Sequence, residues 1–308
     1  MSETFYDYII IGAGVAGIAS AQYAARSGLK TLVIDSSGSG GQALLIVSLE
    51  NYPGLVPPIS GMDFSLNMKK QAEGFGATFV NEKVSSIDKI ANKFSIKTNK
   101  TIYSCYAVLI ATGAEHRALG VPGEKEHEGR GVSYCATCDG PFFKGKNIFV
   151  VGGGDSACDE AMYLSTLSDH ITLVHRRAKL RATGRVANRV LQNPKITVRF
   201  NSDIKEIRGN GKVEYVILRN VETQEETEVP ADAVFVFVGM LPKTDLVQML
   251  PKDEAGYIKT NDKMETAIKG FFAAGDVRAK PFRQVVTATA DGAIAAHEAF
   301  EYIGTVKD

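Results

Sequence analysis

Residues 6–35 read YDYIIIGAGVAGIASAQYAARSGLKTLVID. The apolar run Tyr8 to Ile11 has the composition of a strand buried on both faces. Gly12, Gly14 and Gly17 follow as GxGxxG, then an amphipathic helix, then a second apolar strand from Thr31 to Ile34 that ends in Asp35, 23 residues after Gly12. Glycines tighten such a turn and let a pyrophosphate reach the backbone, and the helix N-terminus supplies N–H donors and a positive dipole. The terminal carboxylate accepts hydrogen bonds from an adenosine ribose. Alone, GxGxxG is weak; with strand, loop, helix, strand and acid in order it predicts a dinucleotide-binding unit.

Working outward, the unit recurs 140 residues later as KNIFVVGGGDSACDEAMYLSTLSDHITLVHRR, with Gly152, Gly154 and Ala157 as GxGxxA. Counting 23 residues from Gly152 lands on His175, followed by Arg176, Arg177 and Arg181. A carboxylate there would repel a 2′-phosphate, whereas guanidinium groups grip one through charge-assisted bonds. The first copy therefore suits FAD or NAD and the second NADPH. HRRAKLR would have the same composition as a solvated basic edge; its offset from the glycine loop favours the functional reading.

After each unit, short alternating segments with turn signals read as a β-meander, Lys83 to Ile102 and Asp203 to Val229. Each leads into a buried strand ending in glycine, AVLIATG at 107–113 and AVFVFVG at 233–239. FFAAGDV and RQVVTATADGAIAAHEAF, near the C-terminus, read as a strand, an acidic turn at Asp276 and a helix from about Arg283. The 308 residues allow two domains, and hydrophobic residues at 44% suit a globular chain. Lys+Arg and Asp+Glu both number 35, so no charge surplus points to nucleic acid or an anionic membrane. The opening MSETFYDYIII lacks a basic leader, and runs such as Val234 to Met240 are too short to span a bilayer. A soluble, cytoplasmic chain is expected.

The stretch SYCATCDGPFFKG, 133–145, holds Cys135 and Cys138 two residues apart. Such a pair fits half a zinc site, a small disulfide staple or a redox centre. Zinc requires four ligands, and neither a second CxxC nor an HxxxH exists among His116, His127, His170, His175 and His297, so no metal is expected. A chain of this size in a reducing compartment needs no staple. Two nucleotide sites imply a flavin reduced by a nicotinamide, which gives the cysteines an electron source. Cys105 and Cys158 are expected to be buried, inert thiols.

Together GAGVAG (12–17), GGQ (40–42), ENYPG (50–54), ATGA (111–114), CATCDG (135–140), GGGDSA (152–157), HRRAKLR (175–181), GD (275–276) and RQVVTATADG (283–292) resemble, along essentially the whole chain, the low-molecular-weight thioredoxin reductases of the FAD-dependent pyridine nucleotide–disulfide oxidoreductases. The resemblance implies an α/β fold of two Rossmann-like dinucleotide-binding domains, three-layer ββα, with an NADPH domain inserted into a discontinuous FAD domain. Residues 1–116 and 247–308 would form the FAD domain and 117–246 the NADPH domain with its CxxC. Crossings are placed near His116–Pro122 and Met240–Lys243. The implied FAD residues are Gly12, Gly14, Ala16, Gly17, Asp35, Gly41, Gln42, Asn51, Ala111, Thr112, Gly113, Gly275, Asp276, Arg283, Gln284 and Val285. Those implied for NADPH are Gly152, Gly154, Asp155, Ser156, Ala157, His175, Arg176, Arg177 and Arg181. Two departures stand out: Asp35 replaces the usual glutamate, and Leu44-Leu45-Ile46-Val47 replaces a polar run.

The implied reaction takes electrons from NADPH through FAD to a Cys135–Cys138 disulfide, which reduces oxidised thioredoxin by exchange. Cys138 is implied to face the flavin. Asp139 is placed to act as general acid, although DG is also a common turn pair. Phe142 and Phe143, with Arg130 at the rim, are read as a thioredoxin anchor or else as core residues. A homodimer is implied, with no nucleic-acid partner and no membrane. Rotation about the two crossings could alternate the disulfide and the nicotinamide at one flavin. Rival readings are the same chemistry with a glutaredoxin-like or peroxide-reducing acceptor, a dithiol oxidase using O₂, and a non-catalytic dinucleotide sensor. GGGDSA with HRRAKLR disfavours the oxidase, and CATCDG the sensor.

Overall fold

The computed structural model describes residues 4–46 and 48–307, so Val47 of the apolar run lies outside the described residues. The chain divides into two compact units, residues 1–115 with 241–308, and residues 116–240.

The first unit opens with β1 (Thr4–Ile11), α1 (Val15–Arg26) and β2 (Thr31–Asp35). Helix α2 (Gly61–Gly74) follows, started by Ser60, whose hydroxyl accepts from Asp63 N at 3.0 Å and donates to its carboxylate at 2.7 Å. The hydroxyl thus satisfies one of the free N–H groups at the start of the helix. Next come β3 (Thr78–Asn81), β4 (Val84–Ile90), β5 (Lys93–Thr98) and β6 (Ile102–Ile110). The sheet order is β3-β2-β1-β6-β5-β4. The expected meander and the strand AVLIATG are not separate: β6 is one strand, antiparallel to β5 and parallel to β1. Its nine residues reach both partners, so no turn is needed between them.

Two short strands, β7 (Ala114–His116) and β16 (Met240–Pro242), pair as a separate two-stranded sheet where the chain passes between units. The return falls at 240/241 rather than 246/247, because Lys243 N already bonds Gly113 O at 3.0 Å inside the first unit.

The second unit holds β8 (Val132–Ser133), the single turn α3 (Ala136–Asp139), β9 (Ile148–Gly152), α4 (Asp155–Leu164), β10 (Ile171–Val174), α5 (Gly184–Leu191) and β11 (Ile196–Arg199). An antiparallel sheet of β12 (Ser202–Arg208), β13 (Tyr215–Asn220) and β14 (Glu226–Pro230) precedes β15 (Ala233–Phe237). The parallel sheet runs β11-β10-β9-β15-β8. Alternate residues of β9 face different layers. Ile148 and Val150 pack with α4 and α5, and Phe149 and Val151 with the antiparallel sheet. Burial on both faces makes the strand uniformly apolar, each large side chain contributing roughly 1.5–3 kcal/mol.

The chain then completes the first unit with β17 (Phe271–Ala273), parallel to β6, and α6 (Val285–Lys307). Helix α6 begins two residues beyond the expected Arg283; Gln284 N donates to Thr287 Oγ1 at 3.1 Å. In β1, Tyr8 and Ile10 pack toward the α1–α2–α6 layer while Ile9 and Ile11 pack toward Val84, Phe94 and Phe271. Small residues let the helices touch: a Cβ on Gly292 of α6 would lie 2.1 Å from Ala16 O of α1. Both units are therefore α/β layers, around a mixed sheet with a parallel core in the first and a parallel sheet in the second.

Candidate active site

The first glycine loop lies between β1 and α1. A Cβ on Gly12, whose φ is +108°, would stand 2.3 Å from Ala111 O, and one on Gly17 would stand 1.9 Å from Gly12 O. Gly14 differs: nothing lies within 4 Å of its Cβ position, and α1 begins there with no side chain capping its N–H groups. The loop thus presents an open cradle with free donors, which is the shape a pyrophosphate requires. Asp35 Oδ2 accepts from Ala13 N at 2.7 Å and Oδ1 from Ser37 N at 2.6 Å. An ionised carboxylate has about four acceptor positions, so the remaining two suit ribose hydroxyls.

Other residues implied by resemblance gather in the same unit. Gly40 N bonds Ala13 O at 2.7 Å, which places Gly41 and Gln42, both exposed, beside the loop. Asn51 Nδ2 donates to Gln284 Oε1 at 3.1 Å across 233 residues of sequence. Ala111 N bonds Ile11 O at 2.8 Å, and Thr112 Oγ1 donates to Lys243 O at 2.7 Å. Val285 is half-buried against the helical core. Within the apolar run, Leu44 is exposed over Gly40 and Ile46 packs on that core.

Gly275 and Asp276 follow β17. Asp276 Oδ1 is buried and has no hydrogen-bond partner among the described residues; Lys280 Nζ is 3.6 Å away. Burial pushes the Asp276 carboxyl up, and Lys280 and Arg283 pull it back down. Arg283 lies over Tyr257, its guanidinium carbon 3.7 Å from the ring centre, with Nε buried and without a hydrogen-bond partner among the described residues. An orphaned acceptor and an orphaned donor beside an open phosphate cradle fit a polyhydroxylated, heteroaromatic dinucleotide such as FAD. Sequence reading missed Arg278, Lys280 and Asp291, whose buried network supports this turn. Arg278 and Lys280 lie outside the quoted motifs and Asp291 has no role readable from RQVVTATADG; only the fold joins residues 275–280 to the second turn of α6.

In the second unit, Gly154 repeats the open position, with nothing within 4 Å of its Cβ site. Ala157 is fully buried at the place of Gly17, and Ser156 is exposed. Asp155 Oδ1 accepts from Thr183 N at 2.7 Å, tying the segment after HRRAKLR to the loop. Arg181 N also bonds Gly153 O, at 2.6 Å. Arg176, Arg177 and Arg181 are exposed, and none pairs with a carboxylate among the described residues. His175 stands apart from them. Its ring is buried against Gly153, its Nε2 donates to Lys179 O at 3.0 Å, and burial, then the neighbouring arginines, hold it below the ordinary histidine range. The packed imidazole ties the loop to the Lys179 carbonyl, and the neighbouring arginines are the exposed cations.

Cys135 and Cys138 form a disulfide in that same unit, at the start of α3. Cys138 is exposed and Cys135 half-buried. Cys135 Sγ accepts from Cys138 N at 3.1 Å, so that N–H is also placed to stabilise a thiolate on Cys135. Asp139 N bonds Cys135 O at 3.2 Å, which sets its half-buried side chain directly after the pair. Tyr134, preceding it, donates to Glu124 Oε1 at 2.9 Å, and Glu124 also takes Leu119 N and Gly120 N, each at 2.7 Å. That buried carboxylate, unnoticed in the sequence, anchors the redox segment to residues 119–120.

The two phenylalanines separate. Phe142 is 80% exposed, whereas Phe143 packs into the helical core with its ring 6.1 Å from that of Phe235. Of the two expectations, anchor or core, Phe143 meets the core one and Phe142 has the exposure an anchor needs, because the turn of 140–143 directs adjacent side chains oppositely. Arg130 is exposed. Cys105 and Cys158 are buried; burial raises both thiols, Cys158 to about 11. Among the described residues no three His, Cys, Asp or Glu side chains gather as a metal site, and no helix is long and apolar enough to cross a membrane.

Comparison with known proteins agrees with this geometry. Residues 6–292 match the family model described as pyridine nucleotide-disulphide oxidoreductase. The chain is 56% identical over 306 residues to a thioredoxin reductase of Treponema pallidum, covering 99% of this chain and 100% of that one. It is 46% identical to a thioredoxin reductase of Bacillus subtilis, covering 99% and 97% of the two chains. The crystal structure of Lactococcus lactis thioredoxin reductase superposes with a TM-score of 0.94 at 43% identity, over 97% of this chain and 99% of that one.

Proposed function

This chain belongs to the pyridine nucleotide-disulphide oxidoreductases and, within them, to the low-molecular-weight thioredoxin reductases, and from that premise we propose that it carries electrons from NADPH, by way of FAD, to Cys135–Cys138 and on to oxidised thioredoxin. The observation that carries this reading is the Cys135–Cys138 disulfide in the same unit as the second glycine loop. A redox pair built beside a nucleotide cradle is arranged for electron transfer. Gly12, Gly14, Asp35, Asp276 and Arg283 would hold FAD; Gly152, Gly154, Arg176, Arg177 and Arg181 would hold NADPH. The specific preference for NADPH is supported by three exposed guanidinium groups without a carboxylate partner among the described residues at the ribose end of the second unit.

A bound flavin supplies two-electron chemistry, taking hydride equivalents from a reduced nicotinamide and passing an electron pair to a disulfide. The rest is sulfur chemistry. Reduction of Cys135–Cys138 consumes two electrons and two protons and leaves a dithiol. One thiolate attacks the partner disulfide, forming a mixed disulfide and expelling a partner thiolate, which takes up a proton. The second cysteine then attacks its neighbour's sulfur, re-forming Cys135–Cys138 and releasing the reduced partner. Asp139 holds the proton delivered to the departing sulfur. Phe142 and Arg130 offer the exposed anchor and rim for that partner. A cytoplasmic homodimer completes the proposal, supported by family resemblance and by exposed Tyr23, Met62 and Leu66 on α1 and α2.

A thiol count tests the proposal. The chain has four cysteines, two of them bonded and two free. Anaerobic NADPH followed by denaturation with a thiol reagent should raise the count per chain from the two free cysteines to all four. A count that stays unchanged by NADPH would sink it.

A further inference from the structure

Asp291, on α6, is 6% exposed and gathers three donors from one short stretch of chain. Its Oδ2 accepts from Gly275 N and from Lys280 Nζ, each at 3.0 Å, and Oδ1 accepts from Arg278 Nη1 at 3.0 Å. The Lys280 side chain is 5% exposed, so its ammonium must be met by an anion. Two carboxylates are within reach: Asp291 takes the hydrogen bond, and Asp276 is left a longer ion pair. Asp276 Oδ1 lies 3.6 Å from the same nitrogen and is buried without a hydrogen-bond partner among the described residues. An orphaned buried carboxylate oxygen is costly, and a small swing of a flexible lysine would satisfy it. What holds the lysine back is Asp291, which also fixes the backbone N–H one residue before Asp276.

We infer that Asp291 is a positioning residue: it withholds Lys280 from Asp276 and so keeps Asp276 Oδ1 open as an acceptor for a hydroxyl of the flavin's sugar-alcohol chain. The inference rests on the flavin reading of the first unit. It extends that reading to a residue that touches no cofactor atom. Arg278 contributes by neutralising the second oxygen of Asp291 and is itself held by Thr260 Oγ1 at 2.8 Å. Counted together, Arg278, Lys280 and Arg283 against Asp276 and Asp291 leave one net positive charge beside the turn.

The test is flavin release. Purified full-length protein is diluted serially and free FAD is read by its fluorescence. In Asp291→Asn the amide still accepts from Gly275 N but no longer holds the ammonium, which turns to Asp276; FAD affinity should fall about tenfold or more. In the double variant Asp291→Asn with Lys280→Met the contested ammonium is gone, and affinity should return to within about threefold of the unsubstituted protein. A purely structural role predicts the reverse, the double variant losing at least as much as the single. An unaffected single variant, or a double variant no better than it, overturns the inference. Should the single variant fail to fold, the double variant decides alone: loss beyond about threefold overturns it. Unsubstituted protein that retains no FAD would overturn the flavin reading itself, and the inference with it.

Discussion

Replacing Arg176 and Arg177 by glutamine, singly and together, probes how the second unit tells NADPH from NADH. Both guanidinium groups are exposed, and neither is spent on a carboxylate among the described residues. With no carboxylate partner among the described residues, their attraction for a 2′-phosphate is undiminished by an internal ion pair. Charge-assisted bonds to phosphate are among the strong ones, but solvent screening at an exposed site cuts their worth. About five- to tenfold in KM for NADPH per arginine follows, and about fiftyfold for the pair once their shared target is allowed for. With NADH, which lacks the phosphate, kcat/KM should stay within about twofold. The assay is steady-state oxidation of each nicotinamide at saturating disulfide acceptor, at low salt and again at about 0.5 M salt, where the NADPH advantage should shrink. Equal losses with NADPH and NADH would refute the reasoning, because they would show the arginines ordering the loop rather than reading the phosphate.

Further consequences concern the redox segment and the cores. Asp139→Asn should slow reoxidation of the reduced protein by thioredoxin by about a hundredfold with normal flavin content, read by rapid mixing; unchanged reoxidation removes the residue from proton transfer. Phe143→Ala should cost about 1–3 kcal/mol in denaturant unfolding, less than a fully buried phenylalanine. Phe142→Ala should leave stability within about 0.5 kcal/mol and raise the KM for thioredoxin; the opposite pattern would reverse their assignments. His116 and His175 are both held below the ordinary histidine value of 6.5 by burial, and His116 Nε2 has no hydrogen-bond partner among the described residues. The unfolded chain binds these protons first, so stability is full above 6.5 and declines as pH falls below it. His175→Asn should flatten that decline; an unfolding midpoint independent of pH from 7.5 to about 5 would contradict it.

The elements that sequence made legible are those whose signals are local. Strand, glycine loop, helix and strand recur because each needs only its own residues, and the close approach at Gly12 and Gly17 is written into the motif that names them. Long-range arrangements were less legible. β6 serves both an antiparallel and a parallel neighbour, a fact held by its partners and not by its own composition. Phe142 and Phe143 look alike in sequence, yet a turn buries one and exposes the other. His175 sits at the offset of the ribose acid but is claimed by Gly153 and the Lys179 carbonyl. Glu124 lies outside every motif and Asp291 inside one that gives it no role, and the importance of both lies in backbone amides and cations brought to them by the fold.

The most direct measurement follows NADPH absorbance in the purified protein with and without oxidised thioredoxin, beside the Cys138→Ser variant. The account predicts rapid, thioredoxin-dependent oxidation of NADPH that disappears in the variant while its flavin is still reduced. Thioredoxin-dependent turnover that survives in Cys138→Ser, or its absence in a protein whose flavin bleaches with NADPH, would contradict the assignment of Cys135–Cys138 as the pair that passes electrons to thioredoxin.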